Sequence, residues 1–227
     1  MNRIEGFPNR DTVAAATAAV LADALRVDGA PSFVATGGST PGPAYDRLAK
    51  VDLDWGRITV TPSDERFVDP SAPESNERLL RQRLLVGRAV AARLLPLKGV
   101  GPSPESDATA AEPSLAALLP FAVVLLGMGE DGHIGSLFPG APDLAQVLDP
   151  KGQRLCVGVP MSGEKPFVPR ISLTVRAFLA SRLITVFVTG DKKRAVVDRV
   201  LDDPAYDPPV AAVLRQDRTP VRILWAP

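Results

Sequence analysis

His133 is the only histidine among the 227 residues of this chain, and Asp131 stands two positions before it. Imidazole takes and gives protons near neutral pH, and a neighbouring carboxylate can orient the ring and stabilise its protonated form. The pair points to proton transfer, with water as one partner it could activate. It sits in GMGEDGHIG, where Gly127, Gly129, Gly132 and Gly135 suit backbone held in places that side chains would obstruct. A second set of residues suits an anion. Gly37-Gly38-Ser39-Thr40-Pro41 follows a short apolar run and opens a helical stretch, so backbone N–H groups, hydroxyls and a helix dipole can meet a phosphate. Ser39 or Thr40 would also serve as the helix cap, with Pro41 at its first position. Arg66 in Asp64-Glu65-Arg66, Arg170 and Lys193 are cations that, with the Gly37–Thr40 turn, could neutralise a phosphomonoester dianion.

Other chemistries fit the residues less well. Gly127-Met-Gly129-Glu-Asp-Gly132 has the glycine spacing of a dinucleotide fingerprint, but Glu130 and Asp131 would face a pyrophosphate. The strand around Arg154 to Val159 also ends without the acidic residue that would bind a ribose. A P-loop fails because His133 and Ile134 occupy the places of Lys and Ser/Thr. No GxSxG elbow, HExxH pair or Cys/His ligand spacing is present, so neither a serine nucleophile nor a metal nor an organic cofactor is called for. Hydrolysis or proton transfer on a small phosphorylated substrate remains.

The elements that position these residues alternate between strand and helix. A helix capped near Asn9 or Asp11 comes first. Strands are expected at Pro31 to Thr36, Arg57 to Thr61, Phe121 to Leu126, Arg154 to Pro160, Arg182 to Thr189 and Val221 to Trp225. Helices are expected from Ser75 through about Arg88, at Ser172 to Ala180 after a loop from Met161 to Arg170, and from Gly190 to about Leu201. The stretch from Gly99 to Pro113, rich in Pro, Ser and Ala, reads as a surface loop. The alternation predicts one α/β domain over residues 1–227, with a doubly wound, mostly parallel sheet and helices on both faces. Successive parallel strands point the same way, so the loops after three of them should converge on one crevice.

Composition narrows the partners. Lys plus Arg, 26, equals Asp plus Glu, 26, so no global field recruits nucleic acid or an anionic membrane. No run approaches the ~20 apolar residues that span a bilayer. The Ala-rich segment Val13 to Ala22 has no basic region before it and reads as an ordinary helix rather than a targeting signal. Cys156 stands alone in an apolar run, as a buried residue in a reducing cytosol would. The oligomeric state stays open, a monomer included.

Five segments in order, VATGGSTPGPAYDRL, ITVTPSDERFVDPSAPESNERLL, LLGMGEDGHIGSLFPG, PRISLT and VFVTGDKKRA, resemble the 6-phosphogluconolactonase family, over about Phe33 to Val197. The resemblance implies a modified Rossmann fold of the NagB/RpiA-like kind. It implies a cytoplasmic enzyme hydrolysing 6-phospho-D-glucono-1,5-lactone to 6-phosphogluconate, the second step of the oxidative pentose phosphate pathway. By position, His133 would be the base on water with Asp131 beside it, and Arg66 would steady the oxyanion or the substrate. Gly37, Gly38, Ser39, Thr40, Asp64, Gly129, Arg170 and Lys193 would contact the substrate and its phosphate. The family's usual G-x-x-K-A stands here as Gly190-Asp-Lys-Lys193-Arg194, which leaves Lys192 and Lys193 as alternatives. Whether Arg66 or loop N–H groups hold the oxyanion is likewise open. The sibling amino-sugar-phosphate deaminases share the GEDGHI loop but continue to a catalytic Glu, where this chain has Gly135-Ser-Leu-Phe-Pro139-Gly. A sugar-phosphate sensor is the remaining alternative, and it would need the phosphate residues without Asp131 and His133 together.

Overall fold

The computed structural model describes residues 4–160 and 168–227. β1 (Ile4–Gly6) leads to α1 (Arg10–Leu25). The helix starts where Asn9 can cap it: Asn9 Oδ1 accepts the Thr12 N–H at 2.9 Å, and the Thr12 hydroxyl accepts the Asn9 N–H at 3.3 Å. β2 (Ser32–Ala35), α2 (Gly42–Leu48), β3 (Thr59–Pro62), β4 (Asp64–Arg66) and α3 (Asn76–Arg83) follow. Next are β5 (Arg93–Leu94), α4 (Pro104–Ala116), β6 (Val123–Leu126), α5 (Leu144–Leu148) and β7 (Cys156–Val159). The chain then forms β8 (Arg170–Leu173), α6 (Val175–Leu179), β9 (Ile184–Thr189), α7 (Asp191–Asp202), α8 (Ala211–Leu214) and β10 (Val221–Ala226).

Seven strands pair in parallel in the order β1-β10-β9-β6-β2-β3-β5. The apolar run of β6 is explained by its place between β2 and β9, buried on both faces. Its side chains alternate between two cores. Val124 and Leu126 pack with Ala108, Leu115, Phe178 and Val197 from α4, α6 and α7. Val123 and Leu125 pack with Val13, Leu21, Tyr45 and Leu48 from α1 and α2. Each fully buried Val or Leu contributes about 1.5–3 kcal/mol, so the two-sided burial fixes both the sheet and its helical layers. From β2 the chain runs outward through β3 to β5, then returns to the other side of β2 as β6. The carboxyl ends of β2 and β6 therefore flank a switch point, where open α/β sheets bind ligands.

Several local expectations are corrected. The strand Cys156–Val159 does not join the main sheet but forms a small antiparallel one in the order β4-β8-β7. Residues 170–173, expected to lead into or open a helix, are its middle strand, and α6 begins only after the Thr174 cap. The stretch from Gly99 to Pro113 is a loop only as far as Ser103. That serine accepts the Ser106 N–H at 3.2 Å and launches α4, whose buried face of Ala108, Ala111 and Leu115 is too small to give a strong periodic signal. α3 stops at Arg83 rather than near Arg88, ahead of Gly87 with φ +56° and a 3₁₀ turn at Gly87–Ala91. Neither Ser39 nor Thr40 caps α2; the helix starts after Pro41 without a side-chain cap. β1, β4, β5 and α8 were not anticipated. Residues 161–167 of the expected Met161–Arg170 loop lie outside the described residues. No helix among the described residues is long and apolar enough to cross a membrane.

Candidate active site

The turns after β2 and β6 are tied to one another. The Gly127 N–H donates to Thr36 Oγ1 at 3.1 Å. The Tyr45 hydroxyl donates to the Thr36 carbonyl at 2.6 Å, and burial pushes that phenol well above its usual range, so it stays a neutral donor. Between the turns opens a cavity of about 240 Å³. Thr36 to Pro41, Asp64, Arg66, Asn76, Gly127 to Gly129, His133, Gly135, Arg170, Phe187 and Lys193 line it. This is smaller than the ~300–1,000 Å³ common for ligand pockets, and it suits a compact metabolite rather than a dinucleotide.

One wall carries the proton-transfer pair. His133 Nδ1 lies 2.7 Å from Asp131 Oδ1, which also accepts the His133 backbone N–H at 3.0 Å. The ring is mostly buried and the carboxylate about half exposed. Two glycines make this possible. A Cβ on Gly129 would stand 2.2 Å from His133 Nδ1, and Gly132 takes φ +83° with Pro208 where its side chain would go. The Gly129 N–H closes the turn onto the His133 carbonyl at 3.0 Å.

The facing wall is basic. β4 and β8 pair so that Arg66 stands directly opposite Arg170, and Asp64 opposite Ser172. Like charges across a strand pair are destabilising, so the arrangement concentrates positive charge at a structural cost. Arg170 is 2% exposed. Arg66 Nη1 donates to the Glu74 carbonyl at 2.7 Å and to Asn76 Oδ1 at 2.9 Å, while its buried Nε has no hydrogen-bond partner among the described residues. Asp64, two residues earlier on the same face, accepts from the Ser63 hydroxyl at 2.9 Å and the Ser136 hydroxyl at 2.7 Å. Glu65 points the other way and accepts the N–H groups of Arg66, Asn76 and Glu77, each at 2.7 Å. Its carboxyl is raised above the usual range by burial, against the pull of those three donors.

The structure brings all the candidate residues to this one place. Gly37, Gly38, Ser39, Thr40, Asp64, Arg66, Gly129, His133, Arg170 and Lys193 line the cavity, and Asp131 reaches it through His133. The lysine alternative is also resolved geometrically. Lys193 lines the cavity, whereas the exposed Lys192 pairs with Glu130 at 3.4 Å. Arg194 turns away to Asp198 at 2.8 Å and lies over the Trp225 ring. Asn76 was missed by sequence reasoning, which saw only the start of a helix in Ser75-Asn-Glu-Arg. Its side chain donates to the Asp64 carbonyl at 2.7 Å and fills the space where a Cβ on Gly37 would fall, 2.0 Å from its Oδ1. The signal for it was an amide at a helix start, ten residues after the charged Asp64-Glu65-Arg66 cluster, too common a pattern to single out.

A parallel α/β sheet with a basic, glycine-lined cavity at its switch point and one Asp–His pair defines an α/β protein with a site for proton transfer on a small anion. The profile of the glucosamine-6-phosphate isomerases/6-phosphogluconolactonase family matches residues 10–225, and the chain belongs to that family. It is 47% identical over 228 residues to the 6-phosphogluconolactonase of Caulobacter vibrioides, covering 99% of this chain and 97% of the relative. A 6-phosphogluconolactonase structure from Shewanella baltica superposes with a TM-score of 0.92 at 35% identity, covering 100% of this chain and 98% of that one. A monomeric glucosamine-6-phosphate deaminase of the NagB superfamily gives a TM-score of 0.81 at 19% identity over 99% of this chain and 97% of its own, a likeness of fold alone.

Proposed function

We propose that the protein hydrolyses 6-phospho-D-glucono-1,5-lactone to 6-phospho-D-gluconate, with His133 as the base. The observation that carries this is the 2.7 Å contact between His133 Nδ1 and Asp131 on the wall of a cavity whose other side is basic. With Nδ1–H donated to Asp131, Nε2 is the basic nitrogen. It takes a proton from water as the water oxygen attacks the lactone carbonyl carbon. Negative charge develops on the carbonyl oxygen. Arg66 is the favoured group for it, because it lines the cavity as a cation while the N–H groups of Gly127, Gly129 and Gly132 already donate within the protein. Collapse breaks the bond to the ring oxygen, which takes the proton from His133 and leaves as the hydroxyl of the open acid. Arg170, Lys193, Ser39 and Thr40 hold the phosphate and so fix the lactone carbonyl near the base.

The deaminase reading needs a further acid or base. Among the described residues that line the cavity, Asp64 carries the only carboxylate, and it is held by Ser63 and Ser136. A cytoplasmic location follows from the proposed substrate, since a sugar phosphate does not leave the compartment in which it is made without a carrier. The test is hydrolysis of freshly generated 6-phosphogluconolactone, corrected for its spontaneous opening, with and without EDTA. Turnover well above the spontaneous rate, insensitive to EDTA and reduced about 10²–10⁴-fold in His133→Ala, is expected. Turnover that survives in His133→Ala would remove the base assignment, and ammonia release from glucosamine 6-phosphate would favour the sibling chemistry.

A further inference from the structure

Phe138 is 5% exposed and is not among the residues that line the cavity, yet its ring meets two groups that do. The His133 ring stands 4.6 Å from it, centroid to centroid, tilted by 43°. The Arg170 guanidinium carbon lies 5.3 Å over its centroid. Both separations fall where aromatic and cation–π attractions act. The backbone explains the placement. Gly135 takes φ +54° and residues 134 and 137 bridge, with the Leu137 N–H on the Ile134 carbonyl at 3.0 Å, so the chain doubles back beneath His133.

We propose that Phe138 is a positioning residue for lactone hydrolysis, fixing the base and the buried arginine relative to each other through one aromatic ring. The inference rests on the functional reading above. The ring's electron-rich face attracts the guanidinium at all times. It attracts the imidazole ring as a cation only once His133 has taken the proton from water, so this contact strengthens as the reaction proceeds. A leucine would fill similar space without a charged-ring attraction, which separates the proposal from simple packing.

The experiment compares the full-length wild type with F138L and F138Y on 6-phosphogluconolactone and on unphosphorylated gluconolactone. F138L should lower kcat on both lactones by about three- to thirtyfold, and should raise KM several-fold on the phosphorylated lactone alone. F138Y, which keeps the ring, should recover most of both losses. In an R170A background, F138L should add no further rise in KM, because the contact it removes is already gone. F138L kinetics equal to wild type, no rescue by F138Y, or fully additive losses with R170A would overturn the proposal. If F138L does not fold, F138M makes the same comparison with F138Y. A wild type that opens neither lactone overturns the functional reading and this inference together. An active wild type with an indifferent F138L overturns this inference alone.

Discussion

Arg66 and Arg170, opposed across β4 and β8, show why single residues in this cavity should differ in what they do to kinetics. A cation that grips phosphate matters only when phosphate is present. Arg170→Ala and Lys193→Ala should therefore weaken binding of 6-phosphogluconate about tenfold or more, with little effect on unphosphorylated gluconate, as read by calorimetry. Equal losses for the two ligands would argue against a phosphate grip. Asp131 acts on a different quantity. Asp131→Asn keeps the size of the side chain but no longer stabilises a protonated ring. It should lower kcat by about a hundredfold with KM nearly unchanged, measured on the phosphorylated lactone. At this scale the sequence was informative where chemistry demands an uncommon residue: one histidine, a preceding carboxylate, cations at strand ends. It was silent on Asn76 and Phe138, because an amide or a phenyl ring acts here only through the neighbours that folding supplies.

At the scale of elements, the cavity depends on close approach between segments. Gly37 after β2 leaves room for the Asn76 side chain at the start of α3, which in turn holds Arg66 and the β4 backbone. Gly37→Ala should push Asn76 aside, lower kcat/KM about tenfold or more and lower the melting temperature by several degrees. A wild-type-like kcat/KM would show that the amide can move without cost. α4 offers a test of stability without chemistry. Ser103 caps it and does not line the cavity, so Ser103→Ala should cost about 1 kcal/mol and lower Tm by roughly 2–4 °C, with activity intact. Central strands were readable as apolar runs between glycine turns. α4 was not, because its alanines bury little apolar surface and Pro104 and Pro113 suggest a loop. β4 and β8 were hidden for another reason: their alternation puts charged residues on a buried face, which reads locally as solvated loop.

The whole molecule is clasped by its first and last strands. Arg222 on β10 donates to Glu5 on β1 at 2.7 and 2.6 Å, and that hydrogen bond holds the Glu5 carboxyl below its ordinary value of 4.5. A lowered carboxylate contributes stability above its unfolded pKa and loses it as pH falls through the folded one. Both side chains are over a third exposed, so solvent screening limits the pair to less than about 1 kcal/mol. Urea midpoints should show Glu5→Gln slightly less stable than wild type near pH 7, with the gap closing on acidification. A gap that widens in acid would reverse the assignment. The α/β alternation was enough to read the parallel sheet and its ligand crevice. The partners of the short edge strands were not readable, since two or three residues carry too little pattern to choose a neighbour.

The place of β6 between β2 and β9 sets an order of events during synthesis. The loops after β2 and β6 leave the ribosome well before β9, and until then one edge of the apolar β6 strand has no neighbour. Such a nascent chain is exposed to edge-to-edge association, and its long-range pairings close slowly. It would also hold the histidine and, once β8 is made, Arg170, but not yet Lys193. A chain stalled at that stage would carry the base and the Ser39–Thr40 turn without the lysine proposed to complete the phosphate grip.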